Sequence, residues 1–289
     1  MGVDGLLNIS KPAGLTSFAT VARVRALAGE KRAGHAGTLD PMATGVLPIG
    51  LGAGTRVLSY LLELPKLYRA EIELGATTDT YDAQGRTISH GDPSHITEEG
   101  VREALKGFAG EVSQRPPAYS ALKLRGQPFY SLARKGHPQS PAPRRVKVYA
   151  IRLLAFQPPR VLLEAEVGRG FYLRSLAHDL GEALGCGGFL KVLVRLRYGP
   201  FLLDEAYPPE GDLLSHLLPL DFPLQGLPSL ELGENEALAL RRGQALPLSD
   251  RLPPGERFRA YRQGAFLAVL RRRGDALLPE KVFLPNLGK

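Results

Sequence analysis

Gly34-His35-Ala36-Gly37-Thr38-Leu39-Asp40-Pro41-Met42-Ala43-Thr44-Gly45-Val46-Leu47-Pro48-Ile49 is the most constrained stretch of the chain. Gly34, Gly37 and Gly45 permit positive φ or close backbone approach, and Pro41 fixes its own φ while pushing Asp40 out of the right-handed helical region. An extended Asp40 on such a loop is presented rather than packed. Taken alone, Asp-Pro is an ordinary turn dipeptide. Here the surrounding glycines and prolines hold a few polar side chains in place, which makes the carboxylate a candidate for chemistry.

Working outward, 289 residues suffice for one large domain and one small one, and 44% hydrophobic with 23% charged residues describes an ordinary globular protein. A net charge of +8 points toward a polyanionic partner, a weak hint on its own. The one cysteine, Cys186, excludes an internal disulfide framework and a multi-cysteine zinc site, and it reads as a buried small residue at a helix end. No apolar stretch approaches membrane-spanning length and no leader precedes the first strand, so a cytoplasmic protein without membrane association is the expectation. No phosphate-loop sequel follows Gly50-Leu51-Gly52, and no His/Cys/carboxylate spacing recommends a metal.

Residues 6–9 read as a strand. Ser10-Lys11-Pro12-Ala13-Gly14-Leu15-Thr16-Ser17 is a turn with a helix N-cap at Thr16 or Ser17, and Ala22, Val24 and Leu27 give the following helix its apolar face. Residues 55–64 and 97–107 have helical character, the latter with Glu98 and Glu99 in the first turn. Residues 67–74 alternate as a half-buried strand opened by Tyr68, and strand-like runs recur at 146–156 and 161–167. The glycines of Gly168-Arg169-Gly170-Phe171-Tyr172-Leu173-Arg174 end the last of these, and a helix with apolar Leu173, Leu176, Ala177, Leu180 and Leu184 begins.

Charge is distributed unevenly. Between Val112 and Leu163 there is no carboxylate, while Arg115, Lys123, Arg125, Arg134, Lys135, Arg144, Arg145, Lys147, Arg152 and Arg160 are interleaved with Tyr119, Phe129, Tyr130 and Tyr149. A charge run is usually a solvated face. One without compensating acids, and with rings among the cations, is better matched to a phosphate backbone and unstacked bases. Beyond Gly226, after the punctuation of Pro219, Pro223 and Pro228, short alternating strands around a helix-like 234–242 suggest a small mostly-β module.

Four separated motifs resemble, in order, those of the TruB family of pseudouridine synthases, the bacterial tRNA pseudouridine-55 synthases. They are Lys11-Pro12-x-Gly14-x-Thr16-Ser17, the run from Gly34 to Ile49, Lys66-x-Tyr68 with Thr78-Asp79-Thr80-Tyr81-Asp82-Ala83-x-Gly85, and Gly170-x-Tyr172-x-Arg174 with Asp179-Leu180-Gly181. Arg115-Pro116-Pro117-Ala118-Tyr119-Ser120-Ala121-Leu122-Lys123 also matches. The resemblance covers essentially residues 5–200 and is loose beyond.

It implies an α+β pseudouridine synthase fold, with a mixed, largely antiparallel central sheet flanked by helices and a cleft crossing it. The expected division is a catalytic domain, 1–225, with a basic RNA-binding insertion at about 115–145, followed by a PUA-like module, 226–289. The resemblance further implies Asp40 as the catalytic carboxylate, Arg174 as its partner and Tyr68 against the target base. His35 would occupy the stack vacated by that base, and Lys11, Tyr172, Tyr119, Lys123, Arg115, Arg134 and Arg144 would meet RNA. Lys11 is read as a support of the loop or an RNA contact. His178 is read as a surface or structural residue. The substrate would be the T arm of tRNA, handled by a monomer without cofactor or metal. A non-catalytic RNA-binding or RNA-folding protein explains the charge equally, and guide-RNA-dependent relatives are the alternative within the enzyme reading.

Overall fold

The computed structural model describes residues 2–119, 141–248 and 252–283, together with a short pairing of Lys123–Leu124 and Gln127–Pro128. Nine strands form the central sheet: β1 (Gly5–Lys11), β2 (Ala33–His35), β3 (Thr44–Leu51), β4 (Lys66–Leu74), β5 (Gly110–Gln114), β6 (Arg144–Gln157), β7 (Arg160–Val167), β8 (Gly188–Tyr198) and β9 (Phe201–Leu202). Their order is β1-β3-β8-β4-β7-β6-β5, with β2 on β3 and β9 on β8. Every pairing is antiparallel except β3 with β8, where Val194 stands opposite Thr44 and Arg195 opposite Gly45. The expected mixed, largely antiparallel sheet is the one observed.

The helices follow from local sequence. In α1 (Ser17–Ala28) the Thr16 hydroxyl accepts from Ala19 N at 3.0 Å, and Gly29 ends the helix at φ 63°. Its inner face is Ser17, Thr20, Val21, Val24 and Ala28. The expected apolar stripe through Leu27 is corrected, because Leu27 is 47% exposed and the polar Ser17 and Thr20 pack inward instead. The helices α2 (Gly54–Leu61), α3 (Glu98–Lys106, capped by Thr97) and α4 (Leu173–Ala183) fall on the expected segments. One core lies between the middle of the sheet and α3 and α4, with Ile72, Leu163, Val101, Leu176 and Leu180; another lies under α1, with Leu7, Ile9, Val21, Val24 and Ile49.

After three 3-10 turns the chain forms β10 (Ser229–Glu231), α5 (Glu234–Arg241), β11 (Leu246–Pro247), β12 (Arg257–Arg262), β13 (Ala265–Arg273) and β14 (Ala276–Val282). These strands make a separate sheet in the order β10-β12-β13-β14-β11 over Leu240, Phe258 and Leu270. Val269 and Phe283 join Val57, Leu61 and Phe201 in a shared apolar cluster, so this module is packed onto α2 rather than tethered loosely.

Candidate active site

The parallel junction in the middle of the sheet brings distant residues into one rank. Lys11 lies opposite Gly45, Gly45 opposite Arg195, Arg195 opposite Tyr68 and Tyr68 opposite Ala165. A register irregularity follows Arg195 on β8, the kind of bulge that re-aims side chains beside a site. At Gly45 φ is +100°, and a Cβ there would lie 2.3 Å from the Arg195 carbonyl oxygen, so only glycine lets the two backbones meet.

The loop ahead of β3 is tied down at several points. The Ser17 hydroxyl bonds both ways with the Leu39 backbone (3.0 and 2.9 Å), Gly14 N donates to Pro41 O (2.8 Å) and Ala43 N to Asp40 O (3.1 Å). Lys11, fully buried, donates from Nζ to the carbonyls of Pro12 (2.8 Å), Leu15 (2.6 Å) and Pro41 (3.2 Å). Burial outweighs the nearby Asp40 and lowers its pKa to about 8. Of the two readings of Lys11, support of the loop or RNA contact, these contacts match the first: its ammonium is enclosed by loop carbonyls.

So supported, Asp40 stays about one-third exposed, its side chain at 32%, while its partner Arg174 is at 5%. Arg174 Nη2 donates to Asp40 Oδ1 at 3.0 Å, and Nε stands 2.9 Å from Oδ2, an ion-pair contact that lies off the hydrogen-bond direction. The rest of the guanidinium is anchored by Thr80 O (3.2 Å), Tyr119 O (3.0 Å) and, at 3.7 Å, the buried Asp82 carboxylate. Asp82 is itself fixed by the Thr80 hydroxyl (2.7 Å) and Gln84 N (3.0 Å). Tyr81, between Thr80 and Asp82, has φ +63° and stacks on His178 with ring centroids 4.0 Å apart. That contact gives His178 a structural role, and a strained tyrosine beside the arginine's anchors marks a functional neighbourhood.

A cleft of about 290 Å³ opens over these groups, lined by Asp40, Tyr68, Tyr172, Arg174, Leu193 and Arg195 among others. Tyr68 is 8% exposed, and its hydroxyl accepts from Arg195 Nη1 at 3.3 Å. Lys66, also in the lining, donates to Leu64 O at 2.9 Å; burial, with Arg195 adding to it, lowers its pKa to about 8.

The other expected contacts divide. Tyr172 lines the cleft, its backbone clasped by Gln114 (2.8 and 3.0 Å), and Arg144 lies 5.4 Å from its ring centroid while donating to Gly170 O at 2.6 Å. Arg144 therefore braces the turn before α4 from a half-buried position. Tyr119 is half-buried and gives its carbonyl to Arg174, whereas Arg115 is exposed. His35 is half-buried on β2 opposite Ile49, outside the cleft lining, and burial together with Arg195 keeps its imidazole below the usual pKa. Lys123 lies in a short strand of the insertion, and Arg134 lies outside the described residues.

No sequence motif singles out Arg195 or Gln114, and Asp82 stands in one only as a member of Thr78-Asp79-Thr80-Tyr81-Asp82. A carboxylate two residues after Thr80 was a readable signal for a second acid near an arginine. Arg195, one basic residue in an alternating strand, gave none.

Among the described residues no cluster of His, Cys, Asp and Glu is arranged to hold a metal, and no helix is long and apolar enough to cross a membrane. What the site offers is a partly exposed carboxylate held by a fixed guanidinium, a ring able to lie against a planar substrate and a floor of buried cations.

Comparison with known proteins meets this geometry. The model of the TruB family pseudouridylate synthase N-terminal domain matches residues 25–173, and that of the tRNA pseudouridylate synthase B C-terminal domain matches 174–224. A tRNA pseudouridine synthase B of Dehalococcoides mccartyi is 43% identical over 98% of this chain and 97% of its own. One of Geobacter sulfurreducens is 42% identical over 92% and 93%. Among solved structures, a chain of a Cbf5-Nop10-Gar1 complex superposes with a TM-score of 0.73 at 28% identity, covering 97% of this chain and 85% of that one. A chain of an H/ACA RNP bound to a substrate RNA containing 2′-deoxyuridine gives 0.73 at 26%, covering 98% and 86%. With two family models spanning the cleft-forming part and relatives aligned over nearly the whole length, this chain belongs to the TruB family of pseudouridylate synthases.

Proposed function

We propose that this protein converts uridine to pseudouridine in tRNA, at position 55 of the T-arm loop, with Asp40 as the catalytic carboxylate. The observation that carries the reading is the one-third-exposed Asp40 held by the buried Arg174 at a cleft that also contains Tyr68. The isomerisation breaks the bond from ribose C1′ to N1, forms one from C1′ to C5, removes the C5 proton and returns a proton to N1. No atom is gained or lost, so the carboxylate need only stabilise the detached sugar-base intermediate. Arg174 holds and aims it, and Tyr68 would lie against the base. Identity above 40% to tRNA pseudouridine synthases B, against below 30% to chains of the H/ACA RNP and the Cbf5-Nop10-Gar1 complex, favours the tRNA substrate. A protein that only binds RNA has no use for a buried arginine holding a partly exposed acid in a cleft.

The target base has to leave a folded loop, at a cost of about a few kcal/mol. His35 would replace it in the stack, the basic insertion would follow the phosphates, and residues 226–289 would serve as a PUA-type RNA-binding module of a cytoplasmic monomer. Release of tritium from C5-labelled uridine in a tRNA transcript tests the reading directly. Asp40→Asn should bind the transcript nearly as well and release none; substantial release by that variant would refute the assignment.

A further inference from the structure

We infer that Arg195 is a positioning residue of the reaction, which orients the Tyr68 hydroxyl so that its hydrogen is offered to a carbonyl of the flipped uracil. This rests on the proposed function. Arg195 is fully buried, lines the cleft and stands directly across the ladder from Tyr68. Its Nε is taken by Val46 O at 2.6 Å and its Nη1 by the Tyr68 oxygen at 3.3 Å. Nη2 has no partner among the described residues, although it is sealed from solvent.

A guanidinium has donors only. The Tyr68 oxygen must therefore accept from Arg195, and its single hydrogen is left to point elsewhere. No other partner of that hydroxyl exists among the described residues, and Tyr68 lines the cleft. The hydrogen left free needs an acceptor, which uracil supplies at O4, where cytosine instead carries an amino donor.

The surroundings confirm that the guanidinium is built in rather than tolerated as a surface charge. The Tyr198 ring lies 5.0 Å from it, Lys66 covers the same ring at 4.3 Å, and any side chain at Gly37 would press on Nη1 at 3.2 Å. Burying two cations with an unsatisfied nitrogen costs stability, and such groups persist where they serve the reaction.

Single-turnover rates at saturating tRNA separate this role from a structural one. Arg195→Met should slow the step about 100-fold, Arg195→Lys should recover part of the loss, and RNA affinity and melting temperature should fall little for Arg195→Lys. On a Tyr68→Phe background, Arg195→Met should add less than about threefold, because the hydroxyl it acts on is gone. A wild-type rate in Arg195→Met, equal rates for the Lys and Met variants, or the full loss repeated in the double variant would overturn the inference. If unaltered enzyme releases no C5 tritium, it is the proposed function that fails instead.

Discussion

Arg174 shows why single residues here resist conservative exchange. Its planar fork reaches Asp40, Asp82 and two backbone carbonyls at once, and an ammonium cannot span that set. Arg174→Lys is expected to lower kcat by about 100-fold, corresponding to about 2–3 kcal/mol of lost charge-assisted hydrogen bonding, and the rate of pseudouridine formation checks it. Lys11 and Lys66 carry a pH signature. Both have pKa values near 8 when folded, against 10.5 for an exposed lysine. Between those values the unfolded chain binds more protons, so stability rises with pH across the window. Above about pH 10 the raised pKa of Tyr198 reverses the trend, since unfolded tyrosine then ionises first. Urea unfolding from about pH 7.5 to pH 10 should show the rise, and Lys11→Met should flatten it.

At the scale of elements, the site depends on β3 and β8 running side by side with no side chain between them at Gly45. Gly45→Ala introduces a positive-φ penalty and an overlap with Arg195 O, and it should destabilise by about 3 kcal/mol or more, measurable by denaturant midpoint. Most elements were legible. Residues 67–74 alternate because β4 turns Tyr68, Ala70, Ile72 and Leu74 onto the core beneath α4, where Tyr68 also lines the cleft, and puts Arg69, Glu71 and Glu73 on the opposite, more exposed face. Thr16 and Thr97 cap their helices as side-chain oxygens before an apolar-periodic run should. The face of α1 was misread since Ala22 and Leu27 fit the period, but the loop demands a hydroxyl at Ser17 and turns the helix accordingly.

For the whole molecule, the C-terminal module is welded to the catalytic sheet through Phe283, which is 4% exposed, stacks on Phe266 at 5.2 Å and lies under Arg56 at 5.0 Å. Phe283→Ala should cost about 3 kcal/mol and broaden the urea transition as the two sheets lose cooperativity. RNA affinity should fall steeply with salt. Arg145 and Lys147 project from exposed positions on β6, and exchanging both for Gln should reduce the salt slope by about 1 to 2 without changing the rate at saturation.

The sequence by itself determined what depends on neighbours along the chain: the rigid turn presenting Asp40, the period of the strands, the caps, and four motifs that identify the family. The family motifs already paired Arg174 with Asp40 and set Lys11 beside the loop; tertiary structure alone decided the atoms each cation meets and the place of Arg195. Lys11, Arg174 and Arg195 are all basic residues in ordinary local settings, yet one is enclosed by carbonyls, one grips the carboxylate and one lies beneath a tyrosine. The reason is that a cation's role is set by which acceptors surround it after burial, and those acceptors come from strands up to 149 residues away, as between Arg195 and Val46.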